Sequence, residues 1–115
     1  MKRIKNKYDL VVVGGGHAGI EASLIAQKMG INVVLVSMDT KSVGRMSCNP
    51  AIGGLAKGQM VKELDVLGGH MAMFADMCTL QSKTLNLSKG RSVWSPRSQI
   101  DKIKYEKTVQ KHIKR

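Results

Sequence analysis

Two apolar runs frame the start of this chain: Tyr8 to Val13, reading YDLVVV, and Ile31 to Val36, reading INVVLV. Neither alternates strictly with polar residues, so each predicts a strand buried on both faces, as in a parallel sheet. Between them the spacing turns helical. Ile20, Leu24, Ile25 and Met29 fall on one face of a segment from His17 to Met29, and small Ala18, Ala22 and Ala26 recur every fourth position. The small stripe predicts a helix lying close over a sheet, and Gly30 ends it. The three elements form a β-α-β unit of about thirty residues.

The pattern is weaker downstream. Asp39 to Ala51 has no period and reads as a loop, with turn signals at Asn49-Pro50 and Gly53-Gly54. Leu55 to Leu67 reads as a helix, with Leu55, Met60, Val61, Leu64 and Leu67 apolar, stopped by Gly68-Gly69. Met71 to Ala75 suggests a short helix, and Met77 to Leu80 a weak third strand. Residues 81–94 are mixed and polar, with a turn at Lys89-Gly90. Ser95-Pro96 has the form of an N-cap followed by proline at the first helical position. It predicts a last helix with Ile100, Ile103, Val109 and Ile113 on its apolar face. The expected fold class is α/β, a Rossmann-like β-α-β unit in an incomplete domain. At 115 residues the chain is one domain. Two parallel strands cannot cover both faces of their sheet, so residues 1–115 read as the front of a larger protein.

The turn between the first strand and the helix carries candidate chemistry. Gly14, Gly15, Gly16, His17, Ala18 and Gly19 fit G-x-G-x-x-G at the strand-to-helix position. Gly14 permits the tight turn, Gly16 lets backbone approach a pyrophosphate, and Gly19 lets the helix pack close to the strand. The helix start then offers free N–H groups and partial positive charge to the phosphates. The plainer alternative is a glycine turn with no ligand. Ser37 stands at the end of the second strand, where an acidic residue would hold a ribose, and Asp39 lies two positions beyond. A serine does not discriminate, so NAD and FAD both remain open from spacing alone.

The formal net charge is +11, from 19 basic and 8 acidic residues. It concentrates in Met1 to Lys7 and in Lys89 to Arg115, where nine basic residues stand against Asp101 and Glu106. Such a balance favours an anionic partner such as nucleic acid, although a solvated basic surface explains it equally well. The few aromatics, Tyr8, Phe74, Trp94 and Tyr105, give no base-stacking platform. Cys48 and Cys78 lie far apart with no histidine at ligand spacing, so no metal site is expected and both thiols are read as reduced. No signal peptide or membrane span is expected, and the location is read as cytoplasmic.

Longer motifs carry a specific resemblance. VVVGGGHAGIEAS (Val11–Ser23), MSCNPAIGG (Met46–Gly54), KELDVLGG (Lys62–Gly69) and the TLN and SKG pieces (Thr84–Asn86, Ser88–Gly90) resemble the N-terminal part of the MnmG (GidA) family of tRNA uridine 5-carboxymethylaminomethyl modification enzymes. The resemblance runs from Tyr8 to about Tyr105. It implies a larger enzyme with an FAD-binding domain, an inserted NADH-binding domain and a helical C-terminal region, the last two absent here. It also implies a homodimer working with an MnmE-type GTPase to modify carbon 5 of the wobble uridine in tRNA, with folate supplying the one-carbon unit. By that resemblance Gly14 to Gly19 would hold FAD, with Ser37 compatible. Cys48, in the distinctive MSCNPAIGG loop beside Arg45, would be either a catalytic thiol activated by the cation or a small packing residue. Gly53-Gly54 would form a second N–H nest or merely a turn, and His17 would be a helix-start residue beside the phosphates. Lys57 and Lys62 would face tRNA or water. Two places depart from the family pattern: Ser82-Lys83 stand where an aromatic and then arginine are expected, and Arg91-Ser92 where Pro-Ala is expected. A serine replacing a buried aromatic would cost on the order of a few kcal/mol. Three readings follow: an N-terminal piece inactive alone, half of a split enzyme, or a basic nucleic-acid-binding remnant without flavin.

Overall fold

The computed structural model describes residues 7–54 and 56–113. Lys2, Arg3, Lys5, Lys114 and Arg115 of the basic ends, and Leu55 at the expected start of a helix, lie outside the described residues. Strand β1 (Leu10–Val13), helix α1 (His17–Lys28) and strand β2 (Val33–Val36) follow the apolar pattern. β1 and β2 pair in parallel, Val11 opposite Val34 and Val13 opposite Val36. The inward residues of α1 are Ile20, Ser23, Leu24 and Ala26. Ala18, Ala22 and Met29 face outward instead, so the predicted small stripe is rotated: the close approach to the sheet is made by Gly19, against Val12.

The rest of the chain departs further from expectation. Strand β3 (Ala51–Gly53) is followed by helices α2 (Lys57–Val66) and α3 (Met71–Cys78), then strands β4 (Thr79–Leu85) and β5 (Ser95–Ile100), and helix α4 (Lys102–Ile113). The three later strands form a separate antiparallel sheet in the order β3-β5-β4. The mixed, polar stretch 81–94 is therefore partly strand, the weak strand expected over Met77 to Leu80 is β4 and begins at Thr79, and Met77-Cys78 belong to α3. Ser95-Pro96 opens a strand rather than a helix. Pro96 is tolerated because the β3 pairing covers only Arg97 to Gln99, and its carbonyl accepts the Gly54 N–H at 2.9 Å. The helix start lies at Asp101, whose carboxylate accepts the Lys104 N–H at 3.0 Å. Tyr105 and Val109 are the buried residues of α4, whereas Ile103, expected on the apolar face, is 67% exposed.

One core lies between the antiparallel sheet and the helices, and the parallel pair reaches it through the partly buried Leu35 of β2. Ile20 and Leu24 from α1, Val43 and Met46 from the connecting loop, and Ile52 from β3 pack with Phe74 and Cys78 of α3, Ile100 of β5, and Tyr105 and Val109 of α4. Phe74 and Tyr105 meet edge-on, with ring centroids 6.2 Å apart. Gly44 lets α4 approach: an added Cβ would come within 2.9 Å of Val109 Cγ1. α4 thereby presses the loop bearing the MSCNPAIGG motif toward the glycine turn.

Candidate functional site

The glycine turn has the geometry its sequence demands. Gly14 has φ +112°, in the region that favours glycine. An added Cβ at Gly19 would collide with the Gly14 carbonyl, so Gly19 serves close packing of helix on strand. Gly16 is different. Its backbone is extended, at φ −77° and ψ 179°, and an added Cβ would meet nothing within 4 Å. It faces open space, as a residue does when backbone must admit a ligand. Among the described residues, no protein acceptor takes the N–H groups of Gly16, His17 and Ala18; the first intrahelical bond runs from Ile20 N–H to the Gly16 carbonyl at 3.0 Å. The turn thus offers free donors at a helix N-terminus.

The neighbouring loop braces the turn. Gly44 N–H donates to the Gly15 carbonyl at 2.9 Å, and a Cβ on Gly15 would lie 2.7 Å from Val43 Cγ2 and 3.2 Å from Ser37 Oγ. Ser37, at the end of β2, is therefore beside the turn; its hydroxyl donates to the Asp39 carbonyl at 3.2 Å. Asp39 itself accepts the Lys41 N–H at 2.9 Å, capping a 3-10 turn over Thr40–Ser42.

An apolar cavity of about 410 Å³ opens next to the turn, sharing His17 with it and walled by Met46, Cys48, Ile52, Lys57 and Val61 among others. His17 is half-buried and edge-on to Tyr105, centroids 5.7 Å apart. Burial lowers its pKa, partly offset by the Glu21 carboxylate. Cys48 is exposed as a free thiol. The cation that shares the cavity wall with it is Lys57; Arg45, expected beside it, is not part of that wall. Gly53 and Gly54 both have positive φ, but the Gly54 N–H already donates to Pro96. The turn reading fits that pair better than an anion nest. Lys62 is exposed on α2.

The sequence pattern did not reveal a second cluster. Glu21 on α1 accepts the His70 N–H at 2.9 and 3.0 Å, fixing the start of α3. His70 sits 5.5 Å from His112, and burial is the main cause lowering its pKa. The only signal was the spacing from Gly68-Gly69 to an apolar run. Ser82 is exposed, with its hydroxyl 2.8 Å from that of Ser98, so the expected packing loss there does not arise. Arg91 lies over the Trp94 ring at 5.7 Å. Among the described residues no His, Cys, Asp or Glu cluster is placed to hold a metal, and no helix is long and apolar enough to cross a membrane.

The strand-turn-helix-strand with its glycine turn defines a Rossmann-like β-α-β unit. The profile of the family described as "Glucose inhibited division protein A" matches residues 9–115, and the chain belongs to this GidA, or MnmG, family. The tRNA uridine 5-carboxymethylaminomethyl modification enzyme MnmG of Karelsulcia muelleri (strain GWSS) is 50% identical over 101 residues, 88% of this chain and 16% of that protein. The enzyme of the same name from Treponema pallidum (strain Nichols) is 52% identical over 102 residues, again 16% of its length. The form I crystal structure of Aquifex aeolicus GidA superposes with a TM-score of 0.91 at 48% identity, covering 95% of this chain and 18% of that one. The chain thus spans about a sixth of the length of these relatives.

Proposed function

We propose that Gly14 to Gly19 hold the pyrophosphate of FAD and that Ser37 lies at its ribose, in a protein that modifies carbon 5 of the wobble uridine of tRNA. The observation that carries this is the open space and the three free N–H donors at Gly16, His17 and Ala18, beside an apolar cavity. These features fit a flavin dinucleotide: donors for its phosphates and an apolar wall for a flat ring. Bound FAD would supply redox chemistry. The chain's own residues would bind, orient and exclude water: Met46, Ile52 and Val61 make the wall apolar, and His17, whose pKa is lowered by burial, would favour the neutral form on that wall. Cys48 is the thiol on that wall and is assigned as the nucleophile candidate, with Lys57 on the same wall. Family membership supports the remaining parts of the reading: NADH as reductant, an MnmE-type GTPase partner, a homodimer and a cytoplasmic location. The test is nucleoside analysis of tRNA from cells lacking the complete protein. Wild type restores the carbon 5 modification; Gly16→Val, which places an isopropyl group where the pyrophosphate approaches, does not. Cys48→Ser retains flavin and leaves the uridine unmodified. Restoration by Gly16→Val would refute the FAD assignment.

A further inference from the structure

The face of the antiparallel sheet turned away from the core carries a groove of about 350 Å³, lined by Asn49, Gln81, Lys83, Leu85, Arg97 and Gln99 among others. The register places Lys83 directly opposite Arg97, with Gln81 opposite Gln99. Side chains opposed in this way lie roughly 5 Å apart at Cβ, and like charges there repel. No acidic residue lines the groove, and the one ion pair among the described residues, His70 with Glu21, lies elsewhere. Two cations are thus held against each other on a sheet face with three amide side chains and no counter-charge. The molecule around them is itself strongly basic, at +11.

We infer that this groove binds the phosphodiester backbone of RNA, with Lys83 and Arg97 on phosphate oxygens and Asn49, Gln81 and Gln99 donating to phosphate or ribose. A polyanion removes the repulsion that the register builds in. The groove has no aromatic wall, so it offers nothing for a base to stack on; it reads backbone, not sequence. The inference rests on the tRNA reading above and adds a second contact surface, outside the cavity beside the glycine turn.

The test measures tRNA affinity of the complete flavin-loaded protein across a sodium chloride series. Each phosphate contact contributes about 0.7 to 0.9 to the slope of log K against log salt. Lys83→Gln with Arg97→Gln should lower that slope by about 1.4 to 1.8 and weaken binding on the order of tenfold. Flavin content should stay at the wild-type level. Lys28→Gln with Lys41→Gln, equal in charge, should keep the wild-type slope. Lys83→Glu places a carboxylate opposite Arg97, so it should raise the melting temperature while weakening RNA binding, a combination that a purely structural lysine does not give. Wild-type affinity and slope in the Lys83/Arg97 double variant would overturn the groove alone. A wild-type protein that binds no tRNA at all would overturn both the groove and the tRNA reading.

Discussion

Three glycines of one turn meet three different surroundings: Gly14 has a positive φ, Gly16 faces open space, and Gly19 packs on the Gly14 carbonyl. Gly16→Ala adds a Cβ into open space on extended backbone, so its melting temperature should match the wild type. Gly19→Ala drives a Cβ into the Gly14 carbonyl and should destabilise by about 1 to 3 kcal/mol or more. Equal melting temperatures for the two would contradict this division of roles. The glycines were legible because their task is set by backbone geometry, which their identity encodes directly. Glu21 was not legible: its role depends on α3 beginning beside α1, a tertiary fact. His17 and His70 both have pKa values lowered chiefly by burial. The unfolded chain therefore binds more protons than the folded one between the lowered values and the ordinary one near 6.5. Stability should fall as pH drops through that window and level off below the folded values. Thermal melts between about pH 7.5 and 5 should show the decline, and His70→Gln should lessen it. A melting temperature in the wild type that does not fall over that range would refute the assignment.

At the scale of elements, β1-α1-β2 was readable because unbroken apolar runs mark strands and a helix between strands writes its own period. The burial on both faces that such runs predict is not reached within these residues, where neither strand has a buried residue. β4 was hidden because it is an edge strand with no alternating apolar face: consecutive Gln81, Ser82, Lys83 and Thr84 are all exposed. Ser95-Pro96 misled because its local preference for a helix start gave way to pairing with Leu85 and Thr84. The cap that operates is Asp101. Asp101→Ala should cost about 1 kcal/mol and loosen α4, which presses Val109 against Gly44. Ser95→Ala removes a hydroxyl that donates to the Val93 carbonyl at 3.2 Å, without affecting helix content. Circular dichroism and thermal melts of the two variants distinguish a cap at 101 from a cap at 95. The candidate site shows the same division. Its glycine turn is contiguous in sequence, whereas the cavity wall gathers residues from α1, the loop, β3 and α2.

At the scale of the whole chain, the parallel pair is the exposed part. Val13 is 82%, Val11 56% and Val36 45% exposed, an apolar face of the kind that parallel sheets bury. The accessible surface, 8423 Å², exceeds the roughly 6,200 Å² usual for a compact monomer of this mass. The 115-residue polypeptide by itself should therefore be poorly soluble or partly molten, and cofactor binding to it must also offset the ordering of a marginal fold. Such a polypeptide should bind FAD weakly; tight stoichiometric binding would show that these surfaces need no cover. The central claim, that the turn at Gly14 to Gly19 is an FAD site, is tested most directly by titrating FAD into the flavin-stripped complete protein. Wild type should take up one FAD per chain, and Gly16→Val should take up none while melting as a folded protein. Equal FAD uptake by the two would contradict the account.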